Sequence, residues 1–341
     1  MHKEIGIDLG SANILVSTAE EGIIAKEAAV AAIDRESNRL QAIGAAAEQC
    51  AQETAKSVVL VRPLRSGILA DAEATRAMLL HAIRETCGNL VIKPRVLIGV
   101  PFDLTEEGET LLEWTAARAG ARETFFVYTP IAAMVGLGLL SDSAVLIADI
   151  GASQTNLMLS GGGKVLYKKT VKVGGDAFDN AISAYLLEKY QMKINARSAE
   201  TIKLRIGTVW INREERMIDV KGKHVGEGKA VTVHLSSREM FDAFEEPMAQ
   251  LIAAFCDAIS AIPSAYVGEV FHRGILLCGG ACQLDGLDKM ISGVTGVNTR
   301  VVERPDEVVA DGLAKILADL PTAMKNEKIN VSALCMRADW R

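Results

Sequence analysis

Ile5-Gly6-Ile7-Asp8-Leu9-Gly10-Ser11-Ala12-Asn13 recurs, altered, as Leu146-Ile147-Ala148-Asp149-Ile150-Gly151-Ala152-Ser153-Gln154-Thr155-Asn156. Each copy is an apolar run, an Asp, one apolar residue, a Gly, a small polar stretch and more apolar residues. This pattern predicts a β-hairpin with an acidic residue near its tip and a glycine turn beside it. Glycine lets backbone N–H groups approach phosphate oxygens, and two such Asp suit a hydrated divalent cation. An Asp at a hairpin tip also caps its own turn through Asx hydrogen bonds. The paired occurrence, one copy opening each half of the chain, favours two like domains gripping one nucleotide.

The 341 residues suit two domains, each with its own core. Hydrophobic residues make up 49% and charged residues 23%, as in ordinary globular chains, and a net charge of −6 argues against an obligate nucleic-acid partner. The six cysteines are scattered, and the first strand begins within a few residues of Met1, so a reducing cytoplasm is the simplest expectation. Cys278 and Cys282 lack a second Cys/His pair at metal-site spacing, which favours core or loop thiols over ligands. No window reaches the roughly 20 apolar residues of a membrane span.

Outward from the first hairpin, Ala45 to Ala55 predicts a short helix, Val58 to Leu64 a strand closed by Pro63, and Ala72 to Cys87 an amphipathic helix. A βαβα unit follows: strand Val96–Pro101, a helix capped by Thr105, strand Phe125–Tyr128 and a helix from Pro130 to about Leu139. After the second hairpin come a strand at Lys164–Val173, a turn at Gly174-Gly175 and a helix from Asp176 to Tyr190. Residues 199–207 begin helically, and the alternating stretch from Trp210 to Leu235 predicts a small β subdomain. Ser237 is expected to cap one long helix reaching Ile262, and Gly274 to Gly280 reads as a buried strand ending in a glycine pair.

These residues resemble the MreB family of bacterial actin homologues, within the superfamily of actin, sugar kinases and DnaK-type chaperones. The likeness runs from Ile5 to about Leu317 and rests on Gly6 to Asn13, Arg62-Pro63-Leu64-Arg65-Ser66-Gly67-Ile68-Leu69-Ala70-Asp71, Lys93 to Pro101, Gly175-Asp176, Arg273 to Gly280 and Leu284 to Lys289. It implies an α/β fold of duplicated, actin-like (ribonuclease-H-like) domains, each a mixed sheet flanked by helices with a small inserted subdomain. The expected boundaries are 1–144 with an insert at about 30–70, 145–320 with an insert at about 186–245, and a tail at 321–341.

The resemblance also implies an ATP site with Mg²⁺ in a cleft between the halves. The first phosphate loop would be Gly10, Ser11, Ala12 and Asn13, and the second Gly151, Ala152, Ser153 and Gln154. Asp8 and Asp149 would face each other across the metal. Gly279, Gly280 and Ala281 would contact adenosine together with Glu200 and Lys203, whose helix face would otherwise be simply solvated.

Three departures fall on that site. The family carries a glutamate before the proline that opens the helix after the second βα strand, where it positions the attacking water; here Thr129 precedes Pro130. A hydroxyl holds water but is a poor base at neutral pH. Ala152 and Ser153 replace glycines of the second loop, which reads alternatively as an ordinary tight turn, and Ala281 replaces a third. Together they imply weakened hydrolysis.

In the family, a loop corresponding to residues 87–94 pushes two apolar side chains into the membrane, here Leu90 and Val91; the same residues equally suit entry into the next strand. Burying both is worth roughly 3–5 kcal/mol, which becomes useful when a filament presents many copies. The expected protein is therefore cytoplasmic and peripheral to the inner membrane face. It would assemble head-to-tail with itself and organise cell shape, with membrane proteins of a shape or positioning complex as further implied partners. The rival expectation is a non-polymerising chaperone-like or accessory protein of the same superfamily. Filament formation separates the two.

Overall fold

The computed structural model describes residues 4–37, 39–53, 57–65, 68–88, 93–139, 143–211 and 214–319. Two five-stranded sheets share one topology. In the first, the strands run in the order Glu123–Tyr128, Arg95–Val100, Glu4–Leu9, Asn13–Thr18, Gly22–Ala28. In the second the order is Lys164–Val171, Thr155–Gly161, Val145–Ile150, Ile275–Cys278, Thr299–Val301. Each is an antiparallel three-stranded meander extended on one side by two parallel strands.

The duplication reaches the register. Asp8 pairs with Leu15 on the hairpin and Gly99 on the parallel strand. Asp149 pairs with Asn156 and Cys278 in the equivalent places. Each Asp therefore sits one residue before the end of a central strand, where parallel sheets present their ligands. The central strands are buried on both faces, Arg95–Val100 throughout, as sheets covered by helices require.

Each half carries a small insert. Ala31–Asp34, Leu40–Ile43 and Val58–Val61 form a three-stranded sheet backed by helix Gly44–Glu53. Met192–Lys193, Met217–His224 and Ala230–Ser236 form another beside helix Ala196–Ile206. Sequence polarity places the caps: Asp71 accepts from the Ala74 N–H at 2.9 Å and Thr105 from the Gly108 N–H at 3.1 Å.

Two local expectations change. Ser236, not Ser237, is the cap, in a reciprocal pair with Glu239. The single long helix is two, Ser237–Ala243 and Glu245–Ser260, separated at Phe244 with Pro247 in the first turn of the second, where its missing N–H is harmless. Phe244 turns inward and meets Phe178 edge-on, with ring centroids 5.0 Å apart, so core packing holds the break.

Helix Val308–Asp319 ends the described chain and packs against helix Thr129–Gly136 and the first sheet. The approach is close enough to require glycine. A Cβ on Gly312 would lie 1.8 Å from the Ala132 carbonyl oxygen, and one on Gly136 2.2 Å from that of Val308. Lys315 Nζ donates to the Gly136 carbonyl at 2.6 Å, satisfying an orphan acceptor at the shorter helix's end.

Candidate functional site between the two sheets

The two Asp-Xaa-Gly turns face each other across one cavity of about 350 Å³. Both close with the same backbone bond: the Gly10 N–H donates to the Asn13 carbonyl at 3.1 Å, and the Gly151 N–H to that of Gln154 at 2.9 Å. Helix Gly175–Tyr190 fixes the second turn. Its first N–H groups, on Gly175 and Asp176, donate to the carbonyls of Gly151 and Ala152 at 3.0 and 2.7 Å. The turns also touch directly, since the Ser11 and Ser153 hydroxyls lie 2.8 Å apart.

Asp8 and Asp149 line this cavity from opposite sheets. Burial, and then the charge of Asp149, push the Asp8 carboxyl up to about 7. Burial likewise raises Asp149, while hydrogen bonds from Thr129 and Asn156 pull it part of the way back. Thr129 Oγ1 donates to Asp149 Oδ2 at 2.6 Å, and Asn156 is steadied by Thr170, which donates to its Oδ1 at 2.8 Å. Gly279 closes the floor at φ +82°, a left-handed backbone that favours glycine; a Cβ there would lie 2.6 Å from Asp149 Oδ1.

The donor set fits a small hard cation. Two desolvated carboxylates held near one another are stabilised by a divalent charge. No cluster of three or more His, Cys, Asp or Glu suited to a metal occurs among the described residues. A cation here would therefore draw its remaining oxygens from water and phosphate, the habit of Mg²⁺ rather than Ca²⁺.

The same cavity gathers the other residues singled out in the sequence: Ala12 and Asn13 from the first turn, Gln154 from the second, and Gly279, Gly280 and Ala281. Glu200 and Lys203 reach it from helix Ala196–Ile206. The Lys203 ammonium is engaged there, donating to Asp179 at 2.8 Å and to the Gly175 carbonyl at 3.2 Å. Thr129 is 8% exposed, and its proton is directed at Asp149. Leu90, Val91 and the tail from 321 lie outside the described residues. Cys278 and Cys282 are buried, and burial raises both thiols, so neither offers a ready thiolate.

Several residues in and around the cavity escaped the sequence reading as site residues. Arg62 pairs with Asp176 at 3.2 Å across the cleft, and Lys26 pairs with Asp306 at 2.5 Å. Lys172 pairs with Asp103 and also donates to the Gln154 side chain at 2.9 Å. Partners more than a hundred residues apart in most of these pairs leave no local signal. Only the occurrence of Arg62 and Asp176 within quoted motifs hinted at them.

Two like sheets, each presenting an acidic turn to a shared cleft, define a protein of the actin-like class. The MreB/Mbl protein family model matches residues 2–325, and the chain belongs to that family. It is 34% identical to the cell shape-determining protein MreB of Escherichia coli (strain K12), over 92% of this chain and 93% of that one. It is 30% identical to the cell shape-determining protein Mbl of Bacillus subtilis (strain 168), over 95% and 98%. Among solved structures, MreB5 of Spiroplasma citri bound to AMPPNP superposes with a TM-score of 0.85 at 26% identity, covering 92% of this chain and 95% of that one.

Proposed function

We infer that this protein binds ATP with Mg²⁺ in the cleft and assembles into filaments that serve cell shape at the inner membrane face. The observation that carries this reading is the convergence of both Asp-Xaa-Gly turns on one cavity. Gly10–Asn13 and Gly151–Gln154 flank the phosphate chain, Asp8 and Asp149 hold the cation with water and phosphate oxygens, and Gly279–Ala281 with Glu200 border the adenosine end. When bound, the cation neutralises phosphate charge. The chain's own residues orient it: Thr129 and Asn156 hold the Asp149 carboxylate in place by hydrogen bonds.

Hydrolysis is slow in this reading, because Thr129 spends its proton on Asp149 and offers no base to the attacking water. The names of the curated relatives support the cell-shape role, and the AMPPNP-bound relative supports a nucleotide in this cleft. For assembly, the second half exposes the apolar side chains Ile211, Met217 and Val294, and Trp210 lies against Gly293 of the helix that carries Val294. Exposed apolar side chains of this kind are available for contacts between chains. A head-to-tail contact between identical subunits does not close and therefore grows a filament.

No single helix among the described residues is long and apolar enough to cross a membrane, so contact with the inner face rests on the proposed insertion of Leu90 and Val91. Pelleting and electron microscopy of the purified chain, with and without ATP and Mg²⁺, test the reading. Polymer that depends on nucleotide is expected. No polymer under either condition favours the accessory, non-polymerising alternative.

A further inference from the structure

A nucleoside triphosphate brings three to four negative charges into a cavity already lined by Asp8, Asp149, Asp176, Asp179, Glu200 and Asp306. Among the described residues that line it, only Arg62 and Lys203 are cationic. They are held very differently. Lys203 and Asp179 are nearly sealed, with side chains 13% and 16% exposed, and the Gly175 carbonyl takes a second ammonium proton. Arg62 and Asp176 are 34% and 40% exposed, and one long contact of 3.2 Å joins them.

Arg62 also has leverage. It follows strand Val58–Val61 of the first insert and precedes Pro63, whose carbonyl accepts from the N–H groups of Ala70 and Asp71 at 2.8 and 3.2 Å. Asp71 in turn caps helix Ala72–Cys87. Its partner Asp176 stands in the first turn of the helix that fixes the second phosphate loop. A guanidinium presents five donors in a planar fork, so it can leave one carboxylate oxygen for a phosphate oxygen, or bridge both, without losing its charge.

We propose that Arg62 is the side chain that recognises the third (γ) phosphate of a bound nucleoside triphosphate, exchanging Asp176 for it, so that the first insert responds to the length of the phosphate chain. The proposal rests on the nucleotide reading above. Asp176 acts as the competing anion: it holds Arg62 over the cleft and yields it to a triphosphate, while a diphosphate leaves the pair in place.

Calorimetric titration of the full-length chain with ATP and with ADP, each with Mg²⁺, tests this in the wild type and in Arg62→Ala, Arg62→Lys and Asp176→Asn. Arg62→Ala is expected to weaken ATP binding about tenfold and ADP binding by no more than about threefold. Arg62→Lys should fall between, keeping the charge and losing the fork. Asp176→Asn should tighten ATP binding about threefold by releasing its competitor. Equal losses for ATP and ADP in both Arg62 variants overturn the proposal, as does Asp176→Asn weakening ATP as much as Arg62→Ala; either result makes the pair a brace between the halves. A wild type that binds ATP and ADP equally poorly, with no measurable heat for either, sinks the nucleotide reading itself and this proposal with it.

Discussion

Replacing Asp8 by Asn changes one atom and removes one proton site, which makes the electrostatics of the cleft measurable. The Asp8 carboxyl titrates at about 7 in the folded protein against 3.8 for the ordinary group. The folded state therefore binds more protons than the unfolded state between these values, and stability falls as pH rises through the window. At about 1.4 kcal/mol for each unit, the whole displacement corresponds to about 4 kcal/mol, of which about 2–3 kcal/mol develops between pH 5 and pH 8. Cleft water screens part of this. The Asn variant lacks that titration, so its stability relative to wild type should rise across the interval by an amount approaching that figure. Urea denaturation at pH 5, 6, 7 and 8 without divalent cation reads the difference directly. Saturating Mg²⁺ and ATP should reverse the ranking at pH 8, because the cation favours the ionised carboxylate that the variant lacks. Parallel pH profiles for the two proteins would refute the account of an Asp8 carboxyl raised by burial and, secondarily, by the charge of Asp149.

The other perturbations are more local. Thr129→Val removes the hydroxyl that donates to Asp149 at 2.6 Å and should lower stability at pH 8 by about 1–2 kcal/mol, with a smaller loss as pH falls toward the raised carboxyl's titration. An equal loss at every pH would show that the bond does not serve the ionised form. Thr129→Glu restores a base beside the cleft and should raise ATP turnover by about a hundredfold; an unchanged phosphate-release rate contradicts the explanation of slow hydrolysis. Gly312→Ala drives a methyl into the Ala132 carbonyl and should cost about 1–3 kcal/mol or more in thermal denaturation, and a variant as stable as wild type would deny the close helix contact. Ser153→Gly removes the 2.8 Å contact to Ser11, and faster hydrogen exchange at both turns is its expected signature, against unaltered exchange if the loops are independent.

The hairpins, the βα unit and most helix limits were legible because each rests on short-range chemistry. Asp71 and Thr105 announce their helices by reaching three residues ahead, and helix Ala72–Cys87 begins and ends where its pattern does. The break at Phe244 was not legible. Residues 238–262 are helix-forming in composition, and what interrupts them is the inward turn of one aromatic ring onto Phe178, 66 positions earlier in the chain. The terminal helix Val308–Asp319 was likewise unassigned, although its glycine at 312 marks a backbone approach that only the folded partner explains.

The candidate site divides along the same line. Its anions and turns repeat in sequence and pair by their shared pattern, whereas Arg62, Lys26 and Lys172 are single residues whose partners lie in the opposite half. The departures at Thr129 and Ser153 acquire a common sense only in three dimensions. Thr129 supplies a donor to Asp149 where a glutamate would add a third negative charge beside Asp8 and Asp149, and Ser153 supplies a hydroxyl that meets Ser11. Both side chains make hydrogen bonds between the halves. In the proposed reading, the positions that would weaken catalysis are the ones where the two halves are tied together, Thr129 to Asp149 and Ser153 to Ser11.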